Sequence, residues 1–356
     1  MSGPKALIPI GQQHRRKTVW LAVLFVLITI AGLTYVKWWP YYGKALSAAA
    51  ERSIGTSILD AGRSAGTPSL QAAWEYALLY FKAVWKAAVL GILLGTLLQS
   101  MLPSQWLLKV LGKTTFGSTA AGGLAALPGM MCSCCAAPVA IGMRKQKVST
   151  GAALAFWIGN PTLNPAVLVF MTFVLSWKFT LLRLFFGILL TFGVSYLANR
   201  FADPKAVADL HSVEASDRDQ AAEPWWKRWV SNMASMLLKV IPAYVLAVLI
   251  LGALQVWMFP HLGETAGNDL IMIFFFAVMG MLFVIPTAAE IPIIQSFMAF
   301  GLGTGPAAAL LLTLPAISLP SLLMLRKSFP AKVLGFVILS VVALGILCGI
   351  AGMLVL

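Results

Sequence analysis

The chain has 356 residues, 60% of them hydrophobic and 11% charged, with a mean hydropathy of +0.86 and a net charge of +14. Soluble domains carry about 25% charged residues, so this composition excludes a soluble globular protein and requires several bilayer-spanning helices. The positive balance is read as lysine and arginine gathered in cytoplasmic loops, and a nucleic-acid partner is excluded.

His14-Arg15-Arg16-Lys17 precedes an apolar run over residues 18–36, closed by Tyr35, Trp38, Trp39, Tyr41 and Tyr42. The run is longer than the core of a signal peptide, and the aromatic belt marks a membrane interface. Together they predict an uncleaved anchor helix with its amino end inside. Residues 43–66 are expected to form an amphipathic helix on the outer surface, ending in the Gly66-Thr67-Pro68 turn, so that 1–73 is an N-terminal unit. A span over 74–102 follows, stopped by Pro103. Residues 116–131 and 136–147 are apolar but short, and spans over 151–177 and 179–199 complete a unit over 74–199. The polar stretch 200–228 reads as a cytoplasmic linker. A unit over 229–356 then holds a span at 229–259, short pieces at 270–285 and 291–301, and spans at 305–325 and 331–356.

These two units repeat one another. Pro138 and Pro292, Thr150 and Thr304, Gly151 and Gly305, Pro161 and Pro315, and Ser133 and Thr287 all stand 154 residues apart. Upstream, Gly95 and Gly252, and Pro103 and Pro260, stand 157 apart. Lys109 and Lys113 precede the first short pair, and Arg144, Lys145 and Lys147 end it, which places both ends in the cytoplasm. Residues 261–269 and 301–305, at the ends of the second pair, contain no lysine or arginine, which suits the outer face. The expected fold is therefore an all-α polytopic membrane protein of two inverted repeats. Each repeat has a re-entrant helical hairpin, and an extra N-terminal transmembrane helix precedes them. The expected location is the bacterial inner membrane, N-terminus cytoplasmic and C-terminus periplasmic. Inverted repeats with broken helices are a transporter architecture whose site lies at the repeat interface.

Three of the four cysteines lie in Met130-Met131-Cys132-Ser133-Cys134-Cys135-Ala136-Ala137-Pro138. A helix over 136–147 is roughly 18 Å long, a little over half the hydrocarbon thickness, so the cysteines fall near the midplane. Asn160-Pro161-Thr162-Leu163-Asn164-Pro165 lies at a similar depth in its own span. Proline frees a carbonyl there, and such backbone survives only when buried in protein or lining a wet cavity. Asn160 and Asn164 share a face if the helix continues. Ser133 is the expected N-cap, with Cys134 and Cys135 at the first helical positions, where a helix N-terminus favours thiolate. Thiols within one turn suit trivalent arsenic, cuprous ion or zinc; the alternative is that they are small buried hydrophobes. At the second tip, Thr287-Ala288-Ala289-Glu290 is open to two readings. One is a capping box; the other is that Glu290, ionisable at membrane depth, carries a coupling proton or meets the solute. Arg183, Lys82, Lys86 and Lys239 are its candidate partners. Cys348 and the methionines (Met130, Met131, Met143, Met171, Met281) are read as packing, and Trp157 either lines the path or packs. There is no phosphate-binding loop, zinc-protease motif or serine elbow; neither an enzyme nor a cofactor is called for.

On Cys132-Ser133-Cys134, Pro138, Gly142-Met143-Arg144-Lys145, Ser149, Gly151-Ala152-Ala153-Leu154-Ala155-Phe156 and Asn160-Pro161-Thr162-Leu163-Asn164-Pro165, the sequence resembles the ArsP/YraQ-type predicted permease family over roughly residues 74–356. The resemblance implies export of trivalent organoarsenicals through a cysteine pair, Cys132 with Cys134 or Cys134 with Cys135. The expected function is a secondary permease moving a thiophilic solute by alternating access. Its substrate site comprises Cys132, Ser133, Cys134, Cys135, Asn160, Pro161, Asn164, Thr287 and Glu290, with Glu290 and Arg183 in coupling. Cys132, Cys134 and Cys135 are metal ligands only for a soft metal or metalloid cargo. The expected partners are the solute, the lipid bilayer, a proton and further copies of the chain. The competing readings are a carrier of another soft metal or sulfur-containing solute, a membrane thiol-disulfide oxidoreductase, and a passive channel suggested by Asn164-Pro165-Ala166.

Overall fold

The computed structural model describes residues 10–59, 69–102, 104–202, 225–259 and 269–356. Every regular element among them is helical. The first is one continuous rod: α1 (Ile10–Leu33), a π-turn (Thr34–Trp38) and α2 (Trp39–Glu51). The aromatic belt does not end it, and the surface helix expected at 43–66 is in part the rod's second half. Pro40 sits in the first turn of α2 and would clash with the carbonyl four residues back in a regular helix. Instead the Trp39 N–H bonds the Thr34 carbonyl, five residues back, and the helix widens for one turn and continues. Residues 60–68, with the expected Gly-Thr-Pro turn, lie outside the described residues.

The first repeat unit runs α3 (Leu70–Met101), α4 (Ser104–Leu111), α5 (Phe116–Ala126), α6 (Ser133–Lys145), α7 (Thr150–Thr162), α8 (Pro165–Val174), and α9 (Trp177–Ile188), which continues through a π-turn (Leu189–Val194) into α10 (Ser195–Ala198). The second runs α11 (Trp225–Met258), α12 (Leu270–Leu282), α13 (Glu290–Ala299), α14 (Thr304–Ala316), α15 (Leu319–Leu325) and α16 (Ala331–Val355). The expected linker thus yields its last residues to α11, and 203–224 lie outside the described residues. Element starts keep the sequence offset: Phe116 and Leu270, Thr150 and Thr304, Pro165 and Leu319, and Trp177 and Ala331 are each 154 residues apart.

Among the described residues, seven helical stretches are long and apolar enough to cross a membrane. Two of them, Thr150–Val174 and Thr304–Leu325, are broken in the middle, and their most apolar windows are 72% and 89% buried, against 6% for Val19–Glu51. The broken spans therefore form the protein's centre, while the first rod presents Val19, Trp20, Val26 and Leu27 outward, as a lipid-facing helix does.

Helix α6 lies against α3 backbone to backbone. A Cβ on Gly95 would stand 2.5 Å from the Pro138 carbonyl oxygen, and Gly91 meets the Cys135 carbonyl in the same way. At the repeat offsets Gly91 becomes Val248 and Gly142 becomes Ser296. Among the described residues, α11 and α13 do not share the α3–α6 packing. The two units thus keep one element order but differ in how tightly the second short helix is held.

Close packing of this kind makes a defined expectation. Gly95→Val should destabilise the folded protein in detergent by about 1–3 kcal/mol through overpacking, seen as a lower thermal midpoint. Gly335→Val, where an added Cβ meets nothing within 4 Å, should leave the midpoint in place.

Candidate functional site

Two linkers between short helices approach the two broken spans. The first, 127–132, carries a 3-10 turn (Leu127–Gly129) and Met130 at φ +48°; the second, 283–289, has Ala288 at φ +73°. The first tip is fixed by Asn160. Its Oδ1 accepts the Met131 N–H at 3.3 Å, its Nδ2 donates to the Phe156 carbonyl at 2.9 Å, and Gly129 sits against Oδ1 where no side chain would fit. Helix α7 passes through Pro161 and ends at Thr162. Asn164 then caps α8, accepting from the Ala166 and Val167 amides at 3.1 and 3.4 Å. The helix does not continue, so Asn160 and Asn164 do not share a face, and each serves the backbone. Trp157 is fully buried and donates its indole N–H to the Ser133 carbonyl at 2.9 Å, which makes it a fastener of α6.

Helix α6 begins one residue earlier than its sequence suggested. Cys132 is the N-cap residue, its carbonyl taking the amides of Cys135 and Ala136 at 3.1 and 3.0 Å, and Ser133 is the first helical residue with no capping bond. This register decides which thiols meet. Cys132 and Cys135, three apart and on one face, bring their sulfurs to 2.9 Å. Cys134, about 100° round the helix, turns to Ser318 of the second unit at 3.3 Å, beside a Ser133–Ser318 hydroxyl contact of 3.2 Å. The resemblance implied Cys132 with Cys134 or Cys134 with Cys135; the sulfurs that stand together here are those of Cys132 and Cys135. Among the described residues, no three His, Cys, Asp or Glu side chains are grouped to hold a metal. Cys348 lies apart, its thiol donating to the Ala308 carbonyl at 3.4 Å.

The second tip does not form a capping box. Helix α13 starts at Glu290, Ala289 is its N-cap, and no side chain caps it. Glu290 instead pairs across the protein with Arg183 of α9, Oε1 to NH1 at 2.8 Å, with both side chains at most 2% exposed. The same guanidinium donates to the Pro161 and Thr162 carbonyls at 2.7 and 3.2 Å and reaches the Met171 sulfur at 3.5 Å. Arg183 therefore satisfies carbonyls orphaned where α7 ends. The other oxygen, Glu290 Oε2, is buried without a partner. Lys82 and Lys86 are exposed, and Lys86 lies over the rings of Tyr35 and Trp85; the Lys239 side chain lies outside the description.

Cys132, Ser133 and Pro161 from the first unit face Thr287, Glu290 and Pro315 from the second across a crevice whose open centre is ≈ 10 Å³. That is room for about one water. Asn160, Asn164, Cys134 and Cys135 do not line it.

One residue of this centre escaped the sequence reading. Lys37, in the π-turn, is 4% exposed and donates to Thr287 Oγ1 and to the Tyr41 hydroxyl, both at 3.1 Å. Its aromatic neighbours resemble an interface belt. The available signal was Pro40, three residues on, which forces the widened turn.

Residues 83–354 match the model of a family described as predicted permease. The chain is 51% identical over 330 residues to the UPF0718 protein YraQ of Escherichia coli (strain K12), which covers 93% of this chain and 94% of that protein. It is 33% identical over 130 residues to the UPF0718 protein MJ0584 of Methanocaldococcus jannaschii, 35% of this chain and 36% of the other. No solved structure matches the chain.

Removing one member of a buried ion pair leaves the other charge unpaired, at about 3–5 kcal/mol. Arg183→Met should therefore lower the unfolding midpoint sharply, and adding Glu290→Gln should recover most of the loss. A double variant as unstable as the single one would show that the carbonyl contacts of Arg183, not the pair, carry the stability.

Proposed function

Because the chain belongs to the predicted permease family, we propose that it is a secondary permease carrying a small thiophilic solute, of the trivalent organoarsenical type, out of the cell through the crevice between the two tips. The observation that carries this reading is the approach of the Cys132 and Cys135 sulfurs to 2.9 Å beside a nearly closed crevice at the meeting of the units. A solute R–As(OH)₂ suits such a dithiol. Two As–S bonds form, two water molecules leave, and the reverse exchange releases the solute with no change of oxidation state. No redox partner is consumed, which a permease requires.

Alternating access follows from inverted repeats whose tips re-enter from opposite sides. Helices α5 and α6, of 11 and 13 residues, are about 16 and 20 Å long, well short of a hydrocarbon core of about 30 Å. The Lys109–Lys113 and Arg144–Lys147 clusters favour the cytoplasm at both ends of that pair. With both hairpins returning to the side they came from, the seven spans put the N-terminus inside and the C-terminus in the periplasm of a bacterial inner membrane. The unequal holding of α6 and α13 supports one unit rocking against the other. Glu290 serves coupling: Oε2 takes a proton while Oε1 keeps Arg183. The thiol-disulfide oxidoreductase reading is less favoured, since a crevice holding about one water leaves no approach for a partner protein's cysteine.

In cells challenged with methylarsenite, Cys132→Ser and Cys135→Ser should each reduce resistance and transport into everted vesicles at least ten-fold. Cys134→Ser should keep at least half of both, with membrane insertion unchanged in all three. Retained transport in the Cys132→Ser/Cys135→Ser double variant would remove the dithiol from the mechanism.

A further inference from the structure

The buried charges at the protein's centre do not balance. Among the described residues, Lys37, Arg183 and Glu290 are the buried lysine, arginine and carboxylate side chains, and Arg183 and Glu290 neutralise one another. Lys37 is left with two hydroxyl acceptors and the Tyr41 ring, 5.1 Å from Nζ, and has no carboxylate within ion-pair distance among the described residues. An ammonium has three donors to place, and a lone cation at membrane depth is costly without a counter-charge. Thr287, which Lys37 bonds, lines the crevice together with Cys132.

The turn that carries Lys37 is anchored to both tips. Lys37 bonds Thr287 of the second tip, and the next residue, Trp38, donates its indole N–H to the Pro128 carbonyl of the first at 2.9 Å. The N-termini of α6 and α13, with 13 and 10 residues, open beside the same crevice. Positive helix ends facing a midplane site favour an anionic group.

We propose that Lys37, held against Thr287 of the crevice wall, is the anion-binding residue, and that the transported solute is a small thiophilic monoanion. Its soft atom lies on Cys132 and Cys135, and its negative charge lies on the Lys37 ammonium. This rests on the Cys132–Cys135 reading of the preceding section and narrows it from thiophiles in general to those carrying one negative charge. The N-terminal rod, outside the residues matched by the family model, thereby becomes part of the binding site.

A matched pair of arsenicals tests the charge separately from the thiol chemistry. Phenylarsine oxide is neutral, and its 4-carboxy derivative has the same arsenic centre with one negative charge. Binding of these two and of the neutral 4-carboxamide to the full-length protein in detergent would be measured by ligand-induced thermal shift, for the wild type, Lys37→Met, Lys37→Arg and Cys132→Ser/Cys135→Ser. The wild type should bind the carboxylate at least five-fold more tightly than the 4-carboxamide, a comparison that needs no variant. Lys37→Met should weaken the carboxylate at least ten-fold and phenylarsine oxide less than two-fold, and Lys37→Arg should restore part of the difference. Equal effects of Lys37→Met on both compounds, or no wild-type preference for the carboxylate, would overturn the proposal. If instead the double cysteine variant binds both compounds as the wild type does, the thiol reading itself fails, whatever Lys37 does.

Discussion

A polypeptide broken inside a membrane must satisfy its freed backbone groups from within, and this constraint organises the centre of the protein. Helix α7 ends at Thr162, and the carbonyls of Pro161 and Thr162 would be orphaned there; Arg183 takes both. A buried guanidinium is costly without a counter-charge, and Glu290 supplies one from the other unit. The side chain that repairs the break in the first unit is thereby also one that ties the two units together. Asn160 and Asn164 do the rest of the repair, one holding the tip of 127–132 and the other starting α8.

With the backbone satisfied, the short helix α6 can present its first turn inside the protein. Cys132 as N-cap and Cys135 three residues on share a face, while Cys134 is turned away to the second unit. The corresponding tip has no cysteine and offers Thr287 and Glu290. One half thus contributes soft donors, and the other a hydroxyl and a carboxylate. The crevice thus has chemically different walls. The difference extends to packing: of the glycines that let α6 press on α3, Gly95 is kept as Gly252, but Gly91 and Gly142 become Val248 and Ser296 in the second unit.

The N-terminal rod contributes more than an anchor. Its apolar outer surface suits lipid, yet a single widened turn, forced by Pro40, carries Lys37 and Trp38 to both tips at once. A π-turn in a long helix is a common mark of a functional position. Here it places a cation where the repeats alone supply none in excess.

Much of this was legible in the residues themselves. The spans, the short apolar pieces and the element starts 154 residues apart were readable from composition and from proline and glycine spacing, because those signals are local or periodic, and the cost of polar groups in lipid marked Cys132, Ser133, Glu290 and Arg183 as candidates. Three matters were settled only in three dimensions. The cysteine pair depended on whether α6 began at Cys132 or Ser133, a shift of one residue that no spacing rule resolves. Thr287 and Glu290 matched a capping box in sequence, but the partners they found, Lys37 and Arg183, lie 250 and 107 residues away. Lys37 itself looked like one more residue of an interfacial belt. Which side chain compensates a buried charge is decided by packing between distant segments, and a linear pattern records only the charge.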